Sequence, residues 1–120
     1  NLAQPRCNLG SIMFKRDRLE AAARHYRAAI RIRPDLAEAH NNLGNVLLRQ
    51  GDPDAAVESY REALKYKPSH PSIHFNLGKA LEELGRLEEA ALRYTQTLRI
   101  APGHAGARFN LQRIRDTKRD

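Results

Sequence analysis

The sequence predicts an all-α solenoid of three helix-turn-helix repeats followed by a C-terminal capping helix. Three observations lead to this prediction. The 120-residue chain repeats itself in steps of 34 residues, and within each repeat the apolar residues recur three and four positions apart, which is helical spacing. Aromatic residues make up only 6% of the chain and Trp is absent, so Leu, Ala and Ile must build the core. Such a core suits helices better than strands.

The repeat is clearest when residues 37–70 are aligned with residues 71–104, where eleven of 34 positions are identical. Residues 3–36 join the same register, and residues 105–118 begin a fourth copy. We therefore predict a single domain over residues 1–120, with repeats at 3–36, 37–70 and 71–104 and the capping helix at 105–118. The apolar periodicity and its breaks predict helices at 3–16, 18–32, 37–50, 53–66, 71–84, 87–100 and 105–118.

Local chemistry marks the helix ends, as the second repeat shows. Gly51 ends the first helix because glycine adopts the left-handed conformation at little cost. Asp52 is a good N-cap, and Pro53 follows at the first helical position, where its missing N–H is not needed. Pro68 then stops the second helix.

A glycine recurs inside the first helix of each repeat, at Gly10, Gly44 and Gly78. Glycine costs a helix interior about 1 kcal/mol relative to alanine. Because the same register carries this cost three times, we predict a close helix–helix approach that a side chain would block. We expect a matching column of aromatic residues to fill the gap between successive hairpins: Tyr26, Tyr60 and Tyr94.

These columns resemble the tetratricopeptide repeat. That family carries a Leu-Gly pair in the first helix, a small residue followed four positions later by an aromatic one in the second helix, and a closing proline. Here they are Leu9-Gly10, Ala22, Tyr26 and Pro34, then Leu43-Gly44, Ala56, Tyr60 and Pro68, then Leu77-Gly78, Ala90, Tyr94 and Pro102. The resemblance implies a right-handed α-solenoid whose first helices line a concave face. The chain departs from the family where Trp is frequent, at Arg6, His40 and His74.

The last helix differs from the others in a way that suits a cap. It has Gln112 at the glycine register and Arg115 at the register of Met13, Leu47 and Leu81. Both changes make one side of the helix polar, as expected where no further repeat stacks. The alternative is a chain cut within a longer array.

The sequence carries no recognisable catalytic motif. It lacks a G-x-S-x-G run, a glycine-rich phosphate loop and a Ser/His/Asp arrangement. Cys7 is alone, and the Glu82-Glu83 and Glu88-Glu89 pairs have the pattern of solvated helix faces. The pairs His40/His74 and His70/His104 recur because the repeat recurs, and no Cys or carboxylate cluster joins them at metal-binding spacing. We predict no enzyme activity, no cofactor and no metal site.

The net charge of +7 is concentrated at the two ends of the chain. Residues 1–36 carry +5 and residues 105–120 carry +3, whereas a nucleic-acid groove usually spreads its basic residues along the surface. No apolar run approaches the ~20 residues of a membrane span, and a lone cysteine suits a cytoplasmic location. Acidic residues lie close to a basic stripe on the second helices, so we interpret the stripe as a solvated outer face and disfavour a nucleic-acid partner: Arg27, Arg31, Arg33, Arg61, Lys65, Lys67 and Arg99.

One polar column has no structural reason in the repeat itself. Asn8, Asn42, Asn76 and Asn110 recur at 34-residue steps, although asparagine is a mediocre helix former. A carboxamide offers two donors and an acceptor, which matches the C=O and N–H groups of an extended peptide. The column is similar to the asparagine ladder in the repeat region of O-GlcNAc transferases, whose repeats share the Asn-Leu-Gly run. The alternative is a consensus residue inherited by duplication.

The groove is expected to continue one turn on either side of this column. Phe75 and Phe109 are large rings on a polar face, which suggests pockets for side chains of a bound segment, although contact with the neighbouring hairpin is the alternative. The other expected groove residues are Cys7, Ser11, Asn41, Asn45, Lys79 and Arg113.

We therefore predict a protein-interaction scaffold or adaptor that binds an extended or helical peptide in its concave groove. Some tetratricopeptide domains clamp the C-terminal carboxylate of heat-shock chaperones, but the matching cation slots here lack Lys and Arg, so that ligand is disfavoured. Two alternatives remain open. One is a recognition arm of a larger enzyme such as a glycosyltransferase, and the other is a self-assembling scaffold that stacks end to end through Leu2, Ile12 and Phe14.

Overall fold

The computed structural model describes residues 1–119, and in that range it consists of seven α-helices without a β-strand. All seven agree with the predicted bounds to within one residue, so the all-α prediction is confirmed. Asp120, the last residue of the predicted domain, lies outside the described residues. The helices are α1 (Ala3–Lys15), α2 (Leu19–Ile32), α3 (Ala37–Arg49), α4 (Pro53–Tyr66), α5 (Pro71–Glu83), α6 (Leu87–Ile100) and α7 (Ala105–Arg119).

The helices stack as a solenoid. Three antiparallel hairpins form from α1 with α2, α3 with α4, and α5 with α6, and each second helix packs on the first helix of the next pair. The odd-numbered helices α1, α3 and α5 also contact one another, so they line one common face. The result is an elongated molecule of 49 × 26 × 20 Å, as expected when each repeat contacts only its neighbours.

The glycine column permits the close helix contact that the sequence predicts. A Cβ atom built on Gly10, Gly44 or Gly78 would lie 2.6 Å from the Cε1 atom of Tyr26, Tyr60 or Tyr94, respectively. Each tyrosine ring therefore packs on the glycine of its own hairpin. We had expected these rings to fill the gap between successive hairpins instead. The rings are at most 2% exposed and are the largest buried side chains of the core.

The turns inside the hairpins share a left-handed residue. Gly51 and Gly85 have φ angles of +83° and +75°, as the sequence predicts for Gly51. The matching position of the first hairpin holds Asp17 at φ 59°, since aspartate tolerates this conformation better than most residues. The Asp52 carboxylate accepts a hydrogen bond from the Ala55 N–H at 3.2 Å, which confirms its predicted N-cap role.

The positions where the family often has Trp join successive repeats. His40 Nε2 lies 2.8 Å from the Pro34 carbonyl oxygen, and His74 Nε2 lies 2.8 Å from that of Pro68. In α7, the equivalent Arg108 donates to the Pro102 carbonyl oxygen at 2.6 Å. The two histidines therefore hydrogen-bond to the carbonyl of the closing proline of the preceding repeat, which explains their recurrence by packing.

Candidate functional site

The asparagine column lies along the face formed by the odd-numbered helices. Asn8 is exposed, whereas Asn42, Asn76 and Asn110 are half-buried. Asn42 Nδ2 lies 3.9 Å from Cys7 Sγ, and Asn76 Nδ2 donates to Asn41 Oδ1 at 3.1 Å. These contacts join side chains 35 positions apart, one helix to the next. One N–H of each of these two amides is thus held by the preceding repeat.

The two ends of the column differ from its middle. Asn8 Oδ1 accepts a hydrogen bond from Gln4 Nε2 at 3.1 Å, within α1. Asn110 Nδ2 donates to the Tyr94 hydroxyl at 3.3 Å, because the position 35 residues earlier holds Phe75, which offers no acceptor. The four amides thus share a register but not one hydrogen-bonding pattern.

Several of the residues that flank the asparagine column contact the core. Asn45 Oδ1 accepts a hydrogen bond from the Tyr60 hydroxyl at 2.6 Å, and Ser11 makes the equivalent contact with Tyr26 at 2.9 Å. Cys7 was expected to line the groove, and this expectation is wrong, since its side chain is buried beneath Asn42. Burial raises the pKa of the Cys7 thiol to about 11, with a further contribution from the Glu38 charge.

The two phenylalanines have different surroundings. The Phe75 ring lies 4.5 Å from the His104 ring and 5.8 Å from the Tyr94 ring, so it packs between its own hairpin and α7. This is the hairpin contact that we considered as the alternative to a pocket. Phe109 is 68% exposed.

Arg113 belongs to a polar network that joins α5, α6 and α7. Its guanidinium contacts both oxygens of Glu82, at 2.8 and 2.9 Å, and the Tyr94 hydroxyl donates to the same carboxylate at 2.6 Å. Burial alone would raise the pKa of Glu82, but the hydrogen bonds from Arg113 and Tyr94 outweigh it and lower the pKa. Our interpretation of Glu82 as part of a solvated helix face is therefore wrong.

A cleft of about 550 Å³ opens on the face of the odd-numbered helices. Sequence reasoning identified Asn45, Asn76 and Lys79 among its lining residues, but it missed the other four. The spacing of the repeat could have identified Arg49. It lies 35 positions after Phe14, the separation that also joins Asn42 to Cys7 and Asn76 to Asn41, and its guanidinium lies 4.8 Å from the centre of the Phe14 ring. Phe14 therefore faces α3, and not the end of the solenoid to which we had assigned it. The four missed residues are Phe14, Leu48, Arg49 and Glu83.

The basic stripe on the second helices is partly paired with acidic residues. Three members of the basic stripe have acidic partners within 4 Å: Arg33 with Asp35, Arg61 with Glu58 and Glu89, and Lys65 with Glu62.

Among residues 1–119, no three His, Cys, Asp or Glu side chains are grouped so that they could hold a metal ion. Over the same range, each helix is too short or too polar to cross a membrane.

Known structures share this fold. The first TPR of Spaghetti (RPAP3), bound to the HSP90 peptide SRMEEVD, has a TM-score of 0.96 and 21% identity over 98% of this chain and 94% of that one. The TPR domain of Arabidopsis OM64 has a TM-score of 0.92 and 22% identity, covering 95% and 94%. MamA has a TM-score of 0.94 and 19% identity, covering 98% of this chain and 69% of that one.

The sequence also matches two family models. One for the tetratricopeptide repeat matches residues 41–105, more than half of the chain, and a second TPR repeat model matches residues 10–51. No curated protein matches the sequence at a significant level. Repeats of this kind typically act as non-catalytic protein-interaction modules. Together with the fold, these matches establish that the chain belongs to the tetratricopeptide repeat family.

Proposed function

We propose that this chain is a protein-interaction scaffold that holds a peptide segment in the groove of its odd-numbered helices. The observation that carries the proposal is the geometry of the two central amides. Asn42 and Asn76 each hold one N–H against the preceding repeat, which orients the amide. The side-chain oxygen and the second N–H of each have no hydrogen-bond partner among residues 1–118. An extended main chain offers complementary groups to both.

In this proposal the column acts in a manner similar to the asparagine ladder of O-GlcNAc transferase repeats. The structure of Spaghetti with a peptide supports a groove of this shape as a peptide site. The clamp that chaperone-binding domains place on a C-terminal main-chain carboxylate is nevertheless a poor model for the contacts here. The slots that hold cations in chaperone-binding domains contain no Lys or Arg here, whether the clamp starts at the first repeat (Cys7, Ser72 and Asn76) or at the second (Asn41, Gly106 and Asn110).

The test replaces Asn42 and Asn76 together with alanine. We expect peptides selected from a random library to bind this variant about tenfold or more weakly by calorimetry, because up to four hydrogen bonds to the peptide main chain are lost. Circular dichroism should remain unchanged, since both side chains are half-exposed. Gln50→Ala with Gln96→Ala removes two carboxamides outside the column and serves as the control. Unchanged affinity in the asparagine variant contradicts the proposal.

A further inference from the structure

We propose that the cleft between α1, α3 and α5 binds a peptide segment in which a carboxylate side chain lies next to a large apolar one. This inference rests on the proposed function and adds the chemistry of the ligand. The cleft is lined by residues of three consecutive repeats, so it lies near the middle of the groove. Its volume of about 550 Å³ exceeds that of a single side chain.

The apolar part of the cleft comes from Phe14 and Leu48. Both side chains are partly buried against the core and keep an exposed remainder on the groove face. An aliphatic or aromatic side chain of a peptide would cover this remainder, and the burial of apolar surface favours binding by roughly 25 cal/mol per Å². This part of the cleft supplies affinity but little selectivity among apolar side chains.

The polar part of the cleft favours an anion. Among the lining residues, Arg49 and Lys79 contribute two positive charges and Glu83 one negative charge, so the lining carries a net charge of +1, and a ligand carboxylate would displace the exposed Asp17 from Arg49. One ligand carboxylate balances this charge, whereas a dianionic phosphate would exceed it. A carboxylate also accepts two hydrogen bonds from a guanidinium in a favourable planar geometry.

Both cations are available for a ligand. Arg49 pairs with Asp17 at 3.4 Å, but 76% of the Asp17 side chain is exposed, and such surface pairs contribute little stability. Lys79 Nζ lies 4.9 Å from the centre of the Phe75 ring and has no acidic partner among residues 1–119. Neither cation would leave a buried acid unpaired on binding a new carboxylate.

An amide completes the anion site. Asn45 Oδ1 accepts the hydrogen bond from Tyr60, which directs the Asn45 NH₂ group away from that hydroxyl. Asn45 lies one helical turn before Arg49 on α3, so the two side chains share a face of the helix. The cleft thus brings together a guanidinium, an ammonium and an amide N–H beside an apolar surface.

The experiment uses a random dodecapeptide library displayed on phage and the full 120-residue chain as bait. The test variant is Arg49→Gln with Lys79→Gln. Its control is Arg27→Gln with Arg31→Gln, which removes the same charge from exposed positions on α2. We expect peptides selected on the unmodified chain and on the control to be enriched in Asp or Glu next to a large apolar residue. Their affinity for the test variant should fall about tenfold.

The outcomes separate this inference from the proposed function. Peptides that bind through the Asn42 and Asn76 amides without enrichment in acidic residues would overturn the inference and leave the proposed function intact. Acidic enrichment that persists on the test variant would also overturn it, because the carboxylate would then bind elsewhere. A library that yields no binder to the unmodified chain would overturn both. Equal losses in the test and control variants would indicate non-specific attraction to the basic chain and overturn the inference.

Discussion

Single residues decide how closely the helices of a hairpin approach. Glycine at the register of Gly10, Gly44 and Gly78 leaves room for a tyrosine ring that is almost completely buried. This pairing was predictable in part, because a costly residue that recurs at one register implies a contact. The partner was harder to predict, since the sequence shows that the tyrosines recur but not which helix they cover.

Gly44→Ala tests this contact. The added Cβ would lie 2.6 Å from Cε1 of a ring that has no room to move. We expect the free energy of unfolding to fall by about 1–2 kcal/mol, as the cost of overpacking exceeds the gain in helix propensity. Urea titrations measure it. Gly103→Ala, where a Cβ meets nothing within 4 Å, is the control, and equal stability of the two variants would contradict the explanation.

Sequence reasoning also missed residues whose contacts depart from the repeat. Tyr26 and Tyr60 hydrogen-bond to the residue that follows the glycine of their hairpin, at Ser11 and Asn45. In the third hairpin that position is Lys79, and Tyr94 turns to Glu82 instead. A periodic pattern cannot predict such a change, because it depends on side chains that occur once.

At the scale of whole helices, the sequence predicted most of the architecture. Glycine, proline and the N-cap Asp52 act within one turn, so the helix ends could be placed from local chemistry alone. The join of α7 to the third hairpin could not be placed in this way. It includes the ion pair of Arg113 and Glu82, which are 31 positions apart and meet only because α7 packs on the third hairpin.

Glu82→Gln measures how much the Glu82 carboxylate contributes to the free energy of unfolding. The pKa of Glu82 is lower in the folded chain than its ordinary value of about 4.3, so its contribution is fully present above that value and is lost as the pH falls through the folded pKa. We expect the variant to be about 1–2 kcal/mol less stable at pH 7, and the difference to shrink below pH 4. Denaturant titrations across this range test both statements.

Glu83→Gln is the matched control, because Glu83 is exposed and follows directly in the sequence. It should change the stability at pH 7 by less than Glu82→Gln does. A Glu82→Gln loss that stays constant between pH 7 and pH 3 would show that the network contributes through packing and not through charge.

The molecule has an uncovered apolar face formed by α1 and its N-cap residue Leu2. Leu2, Leu9 and Ile12 are 67%, 42% and 44% exposed. Their equivalents in the second repeat are at most 8% exposed, because α2 covers them: Leu36, Leu43 and Val46. A face that is buried in the second repeat and exposed in the first favours contact with another helix.

We expect the chain to self-associate weakly through this face, with sedimentation velocity showing dimers at high concentration. Leu9→Gln with Ile12→Gln should return the chain to a monomer. Leu92→Gln, which removes an exposed leucine from α6, should leave association unchanged. A monomer at every concentration would exclude end-to-end stacking.

The burial of Cys7 has a practical consequence. Thiol reagents attack the thiolate, and with a pKa of about 11 this fully enclosed sulfur is almost entirely protonated at neutral pH. We expect it to react only when α1 moves away from Asn42 on α3, which covers the sulfur. The labelling rate of this cysteine therefore reports how often the first repeat opens. A groove ligand that lowers this rate must hold α1 against the following repeats.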